Sequence, residues 1–192
     1  MIKKLKKQID FIIEIDKIKS VIRKTKLFDG TKYENDAEHS WHICMMAIIL
    51  QEYSNEKIDI LKVLKMLLIH DLVEIDAGDY LVYTDKNIEK NKMEKKAAKR
   101  IFSILPDEQK NELTCLWEEF ELKETPEAKF AFALDRLEPV MQNYYNKGTT
   151  WKEHNIKYDR IVEVNCKIED GSSGLWQYAK TIIEEVKKSG VI

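Results

Sequence analysis

Three stretches of helical, largely apolar sequence each carry ionisable groups where a helix ought to be buried. His39 opens a run that continues Ile43-Cys44-Met45-Met46-Ala47-Ile48-Ile49-Leu50. His70-Asp71 follow Met66-Leu67-Leu68-Ile69, and Asp135 follows Phe130-Ala131-Phe132-Ala133-Leu134. An uncompensated imidazole or carboxylate inside a helical core is costly. A fold that accepts all of them must bring these helices together around something that offsets the cost, and that demand restricts the architecture more than any propensity does.

The remaining pattern is helical nearly throughout. Leu5, Ile9, Ile12, Ile13, Val21 and Ile22 keep three- and four-residue spacing, which predicts a first helix from about Lys3 to Lys24, broken at Asp29-Gly30. Asn35 and Glu38 have capping-box spacing for a second helix reaching about Tyr53. Asp59 caps a third, Ile60 to about Ala77, which Gly78 ends. A Lys-rich helix is expected over about Asn87 to Leu105, another from Asp107 to about Leu122, and Thr125-Pro126 starts one through Phe130, Leu134 and Leu137. Pro139 cannot donate to the Asp135 carbonyl, so that helix is expected to kink or end there. Gly148 to Asn155 reads as a loop or short turn, and two last helices, about Tyr158 to Ile168 and Ser173 to Lys188, flank the turn Glu169-Asp170-Gly171. No segment alternates with period two, and there is no internal repeat or linker. With 6 Gly and 3 Pro in 192 residues, the expectation is one all-α domain over residues 1–192.

Charge and cysteine content narrow the function. The 32 basic residues nearly cancel the 34 acidic ones, so nothing global points to nucleic acid. The basic run Lys86 to Arg100 is interleaved with Ile88, Met93, Ala97 and Ile101 and reads as a solvated amphipathic helix. Cys44, Cys115 and Cys166 form no CxxC pair and are expected to be reduced thiols in a cytoplasmic protein. The longest apolar run, Ile43 to Leu50, is far short of the roughly 20 residues of a membrane span. The N-terminal stretch is interrupted by Asp10, Glu14 and Asp16 and does not read as a signal peptide.

A divalent cation would compensate His39, His70, Asp71 and Asp135 together, because neutral imidazole and carboxylate are its ordinary ligands. Each alone has a plainer reading: a hydrogen-bonded core histidine, or an Asp135 paired with Arg136. Glu74 lies four residues after His70 and three after Asp71 and shares their face, and a turn at Gly78 would fold Asp79 back towards it. Two nitrogens and two carboxylates accept Mn, Fe, Co, Ni, Zn or Mg alike. With four histidines in the chain, one ion is expected. His42, three residues after His39, is expected to pack or to hydrogen-bond behind the ligands. Trp41, Trp117, Trp151 and Trp176 are expected in the core or at a subunit contact, with Trp41 the one to look for beside a pocket.

The segments Glu34-Asn35-Asp36-Ala37-Glu38-His39-Ser40, His70-Asp71-Leu72-Val73-Glu74-Ile75-Asp76-Ala77-Gly78-Asp79 and Leu134-Asp135-Arg136-Leu137 together resemble the HD-domain phosphohydrolase superfamily, most closely its compact 5'-deoxynucleotidase-like branch. Ile168-Glu169-Asp170-Gly171-Ser172 with Leu175-Trp176 resembles bacterial HD hydrolases. The resemblance covers nearly the whole chain. It implies a compact HD-domain helical bundle and a metal-dependent phosphohydrolase acting on a small phosphoester, with His39, His70, Asp71 and Asp135 as metal ligands. Glu74 and Asp79 match the acidic residues that manage water and protons, and Arg23 falls where the branch supplies an arginine to the substrate phosphate. Ala77 stands where the branch usually has a hydroxyl residue. A nucleoside 5'-monophosphate is the expected substrate. A nucleoside triphosphate, a cyclic nucleotide, or a non-catalytic metal-stabilised nucleotide sensor are the alternatives. Relatives of this kind dimerise through helices, which implies a homodimer.

Overall fold

The computed structural model describes residues 1–83 and 88–192. Helices dominate: α1 (Ile2–Ile15), α2 (Asp36–Leu50), α3 (Ile60–Ile69), α4 (Glu74–Ala77), α5 (Ile88–Phe102), α6 (Asp107–Leu122), α7 (Pro126–Tyr145), α8 (Thr149–Glu153), α9 (Tyr158–Asn165), α10 (Ile168–Gly171) and α11 (Ser173–Lys188). Helix α7 is the axis. It packs against α2, α3, α6, α10 and α11, and Ala128, Phe130, Ala131, Leu134, Leu137 and Val140 along it are fully or almost fully buried. One apolar cluster extends from Phe11 to Val186 around it. Three tryptophans, Trp117, Trp151 and Trp176, are in that cluster, whereas Trp41 is 66% exposed. Cys44, Cys115 and Cys166 are free thiols, with Cys44 packed in the core.

Start and stop signals act as their chemistry requires. Asn35 and Glu38 form a reciprocal capping box at α2, Asp59 accepts from Leu61 N–H and Lys62 N–H at α3, and Thr125 with Pro126 opens α7. Gly78 ends α4 with φ 77°, a conformation that favours glycine. Gly171 sits where a Cβ would come within 2.2 Å of the Lys129 carbonyl oxygen, so the 168–171 turn can rest directly on α7.

Five expectations are corrected. The first helix stops at Ile15; a 3₁₀ turn over Asp16–Ser20 follows, and Ile22–Lys26 is a strand, β1, paired antiparallel with β2 (Tyr33–Asn35). Val21 and Ile22 fit the helical spacing, but β-branched Val21, Ile22 and Thr25 also suit extended backbone, and β2 supplies the partner. The Ile60–Ala77 helix is three pieces, because His70–Val73 tightens into a 3₁₀ turn between α3 and α4. Helix α7 does not end near Pro139 but runs on to Tyr145, with Asn143 Nδ2 donating to the Pro139 carbonyl at 2.9 Å. Residues 149–153 are helical because Trp151 must be buried there. The Tyr158 helix also ends early, at Asn165. The expected start of the Lys-rich helix at Asn87 lies outside the described residues.

Candidate metal centre and its cavity

The capping box sets the first turn of α2 so that Asp36 and His39, three residues apart, share its buried face. On the facing helix α7, Asp135 and Glu138 have the same spacing and are also buried. The 3₁₀ turn after α3 brings Asp71 and Glu74 to one side, since residues three apart eclipse at three residues per turn. These elements meet at one point. His39 Nε2 lies 3.2 Å from Asp135 Oδ1 and 4.0 Å from Asp71 Oδ2, and His70 Nε2 lies 3.1 Å from Asp71 Oδ2 and 3.7 Å from Asp135 Oδ1. The four residues expected to meet from three helical segments therefore do meet.

The arrangement makes chemical sense with a cation at its centre. His70 Nδ1 is 2.9 Å from the Leu67 carbonyl oxygen, which can only accept, so this nitrogen carries a proton. In a neutral ring Nε2 is then a lone pair, buried and without a hydrogen-bond partner, facing two carboxylate oxygens. Lone pair against carboxylate is repulsive unless positive charge lies between them. Two of the four separations, 3.1 and 3.2 Å, fall within the edges of a coordination shell, about 3.0–3.4 Å for bonds near 2.1 Å, and the other two, 3.7 and 4.0 Å, are wider. His39, His70, Asp71 and Asp135 fit a divalent ion.

Behind these groups lie carboxylates whose part in the cluster the sequence reading missed. Glu138 Oε2 is 3.4 Å and Glu34 Oε2 3.6 Å from His39 Nδ1, as expected for acceptors that orient a ligand imidazole. Glu138 Oε1 is 3.2 Å from His42 Nδ1, so His42 stands behind the centre and touches it through Glu138. Asp36 is fully buried beside Asp71 and Glu74. A signal existed for two of them: Asp36 precedes His39 by three residues and Glu138 follows Asp135 by three.

Charge is crowded enough to shift protonation. Burial, then the neighbouring Asp71 carboxylate, pushes Asp36 up to about 7 despite Arg23, and the same two causes hold Glu74 well above the usual carboxylate range. Burial alone would depress His70, but Asp71 and Asp135 outweigh it and raise the ring to about 9. For Glu138, burial is outweighed by hydrogen bonds from His39 and His42, which bring it down to about 2. Asp135 is likewise held well below the ordinary range, where burial is overcome by Arg136, His39 and His70.

A cavity of about 450 Å³ opens on the centre, lined on its acidic side by Asp71, Glu74, Asp79 and Asp135. Asp79, turned by Gly78, accepts the Lys24 backbone N–H at 2.8 Å, and burial raises its carboxyl. Arg23 also lines the cavity but points into the acidic cluster: its guanidinium is 2.9 Å from Asp71, 3.4 Å from Asp36 and 3.5 Å from Glu34. Trp41 lies apart from this cavity, in an open apolar groove with Leu27, Phe28 and His42.

The whole chain is also similar to known proteins. A family model described as HD domain matches residues 15–176. The 5'-deoxynucleotidase HDDC2 of Xenopus laevis is 30% identical over 169 residues, 78% of this chain and 80% of that protein. The zebrafish (Danio rerio) protein of the same name is 32% identical over 136 residues, 70% of this chain and 66% of its own length. A crystal structure from Magnetospirillum magnetotacticum MS-1, described as a predicted metal-dependent phosphohydrolase, superposes with a TM-score of 0.95 at 44% identity, covering 98% of this chain and 95% of that one.

Proposed function

Because this chain belongs to the HD-domain family, we propose that it is a metal-dependent phosphohydrolase that releases phosphate from nucleoside 5'-monophosphates, deoxynucleotides among them, as a single domain. The observation that carries the reading is the buried, partnerless Nε2 of His70 facing Asp71 and Asp135. His39, His70, Asp71 and Asp135 would hold one divalent ion, which would supply positive charge for a phosphoryl group and acidity for water. The protein supplies the rest. Glu74, whose Oε2 is buried and without a partner and whose carboxyl is held high by burial and Asp71, is placed to take or orient the proton of the attacking water. Asp79, on the cavity wall with its carboxyl raised by burial, is placed to assist the departing alkoxide or to hold the sugar. Arg23 adds fixed positive charge at the floor through Asp71, so that a dianionic phosphate is not repelled by the acidic cluster.

Nucleotides as substrates are supported by the names of the HDDC2 relatives. A homodimer is supported by apolar side chains left exposed on two helices, Leu5, Ile12 and Ile13 on α1 and Trp41, Met45 and Ile49 on α2. A cytoplasmic location is supported by the free thiols. Among the described residues, no helix is long and apolar enough to cross a membrane.

The test is a phosphate-release screen over deoxy- and ribonucleoside monophosphates, with Mn, Co, Mg and Zn in turn. Inorganic phosphate from monophosphates is the expected product. Triphosphate released from a nucleoside triphosphate, or a linear monophosphate from a cyclic one, would reassign the substrate. Nucleotide binding without any product would make the protein a sensor.

A further inference from the structure

The two arginines nearest the centre differ in one close bond. Arg23 has its side chain only 10% exposed and bonds Asp71 at 2.9 Å, with Asp36 at 3.4 Å and Glu34 at 3.5 Å further off. Arg136 follows Asp135 on α7 and lines the same cavity, with its side chain 21% exposed. Its carboxylate neighbour is Asp135, with Nη2 to Oδ2 at 3.5 Å, well beyond the roughly 2.7–2.9 Å of a strong charge-assisted bond. Its Nε is buried and has no acceptor among the described residues.

Three other cations on the cavity wall are already engaged. Lys90 is 3.3 Å from Glu94, Lys167 is 3.8 Å from Asp170, and Arg160 is 2.9 Å from Glu163. Arg136 is also held in place. Its guanidinium carbon lies 4.9 Å from the centre of the Phe132 ring, which Lys123 Nζ approaches to 4.8 Å. Stacking on a ring fixes the plane of a guanidinium and leaves its edge to bond. A planar fork with unspent donors, next to a ligand of the cation and open to the cavity, is what an incoming tetrahedral oxyanion requires.

We propose that Arg136 is a substrate-binding residue that takes the outer phosphoryl oxygens of the phosphoester beside the cation, while Arg23 balances the carboxylates beneath it. This inference rests on the phosphohydrolase reading above and names the residue that recognises the substrate's phosphate.

The probe is inorganic phosphate, the product of the proposed reaction. Its binding to Mn-loaded protein is measured by calorimetry for wild type, Arg136→Gln and Arg136→Lys, with metal content measured on the same samples. Arg136→Gln is expected to weaken phosphate binding by about tenfold or more at unchanged metal content, with Arg136→Lys recovering part of the loss because it keeps the charge but not the fork. KM for deoxyadenosine 5'-monophosphate is expected to rise in the same order. Equal phosphate affinity in wild type and Arg136→Gln overturns the proposal. So does loss of metal from both variants, since Arg136 would then act by supporting Asp135. A metal-loaded wild type that neither binds phosphate nor hydrolyses any ester sinks the phosphohydrolase reading itself; an active wild type matched by Arg136→Gln sinks only the role of Arg136.

Discussion

The floor and the mouth of the cavity are both rich in charge, and they obey different physics. At the floor, Glu34, Asp36, Asp71, Glu74, Asp135 and Glu138 crowd around two imidazoles and Arg23, most of them with little or no contact with solvent. At the mouth, Arg160 and Lys167 each face a carboxylate close by in sequence, and water reaches both pairs. Exposed pairs of that kind contribute little, about 0–1 kcal/mol, and dissolve in salt. Buried like charges cannot be screened, so they must be neutralised by protons or by a cation. The difference teaches where function resides: charge that costs the fold stability is charge retained for chemistry.

The strongest way to break this contrast is to alter one floor carboxylate while keeping its shape. Asp135→Asn removes a ligand charge and leaves His39 and His70 facing an amide. Metal stoichiometry by mass spectrometry is expected to collapse, and phosphate release to fall on the order of a thousandfold. Metal retained at full stoichiometry would show that the cluster is a structural hydrogen-bond network. Glu74→Gln should separate binding from turnover. Metal content stays, while kcat drops about a hundredfold or more, the usual scale for a lost general base. Equal turnover would remove Glu74 from the mechanism.

The floor also predicts a pH signature without its metal. His70 is raised from 6.5 to about 9, so the stability its protonated form provides is fully present below pH 6.5 and is lost as pH rises through 9. Asp36, raised from 3.8 to about 7, acts in the same direction: the fold holds its proton until about pH 7, so stability falls as pH rises from 3.8 to 7. The Tm of chelator-treated protein should therefore fall from pH 6 to 9, and the stabilisation by added metal should widen over that range as ligand protons cease to compete. A metal-free Tm that rises across this window would contradict the charge arrangement described here.

What could be read from the sequence divides along the same line. Helix ends were legible where one side chain satisfies one backbone group: Asn35, Asp59 and Thr125 cap helices in the structure as their types predict. The meeting of His39, His70, Asp71 and Asp135 was legible because ionisable residues in apolar helices need a common solution. Strand β1 was not, since Val21 and Ile22 satisfy a helical period equally well and only pairing with Tyr33–Asn35 decides for extension. Nor was Glu34, while Glu138 carried only the signal of its three-residue spacing from Asp135. A glutamate beside a motif looks solvated until the fold shows it buried against His39. The aim of Arg23 was equally hidden, because which carboxylates a guanidinium faces is set by β1, an element the helical pattern conceals.

The smallest effect is expected at the mouth, and it sharpens the contrast from the other side. Lys167 lines the cavity, yet its side chain is 65% exposed and its carboxylate partner, Asp170, is three residues away on the surface. Removing it with Lys167→Ala deletes a solvated charge and leaves no buried group unpaired. Stability by denaturant titration should change by less than about 0.5 kcal/mol, the usual limit for surface substitutions. Its one functional trace should be electrostatic. Less positive charge at the rim lowers the local concentration of an anionic substrate, so KM rises at low ionic strength and returns to the wild-type value as salt shortens the Debye length to about 3 Å near 1 M. A rise in KM that survives high salt would mean that Lys167 touches the substrate directly, and the division between a working floor and a solvated mouth would have to be redrawn to include it.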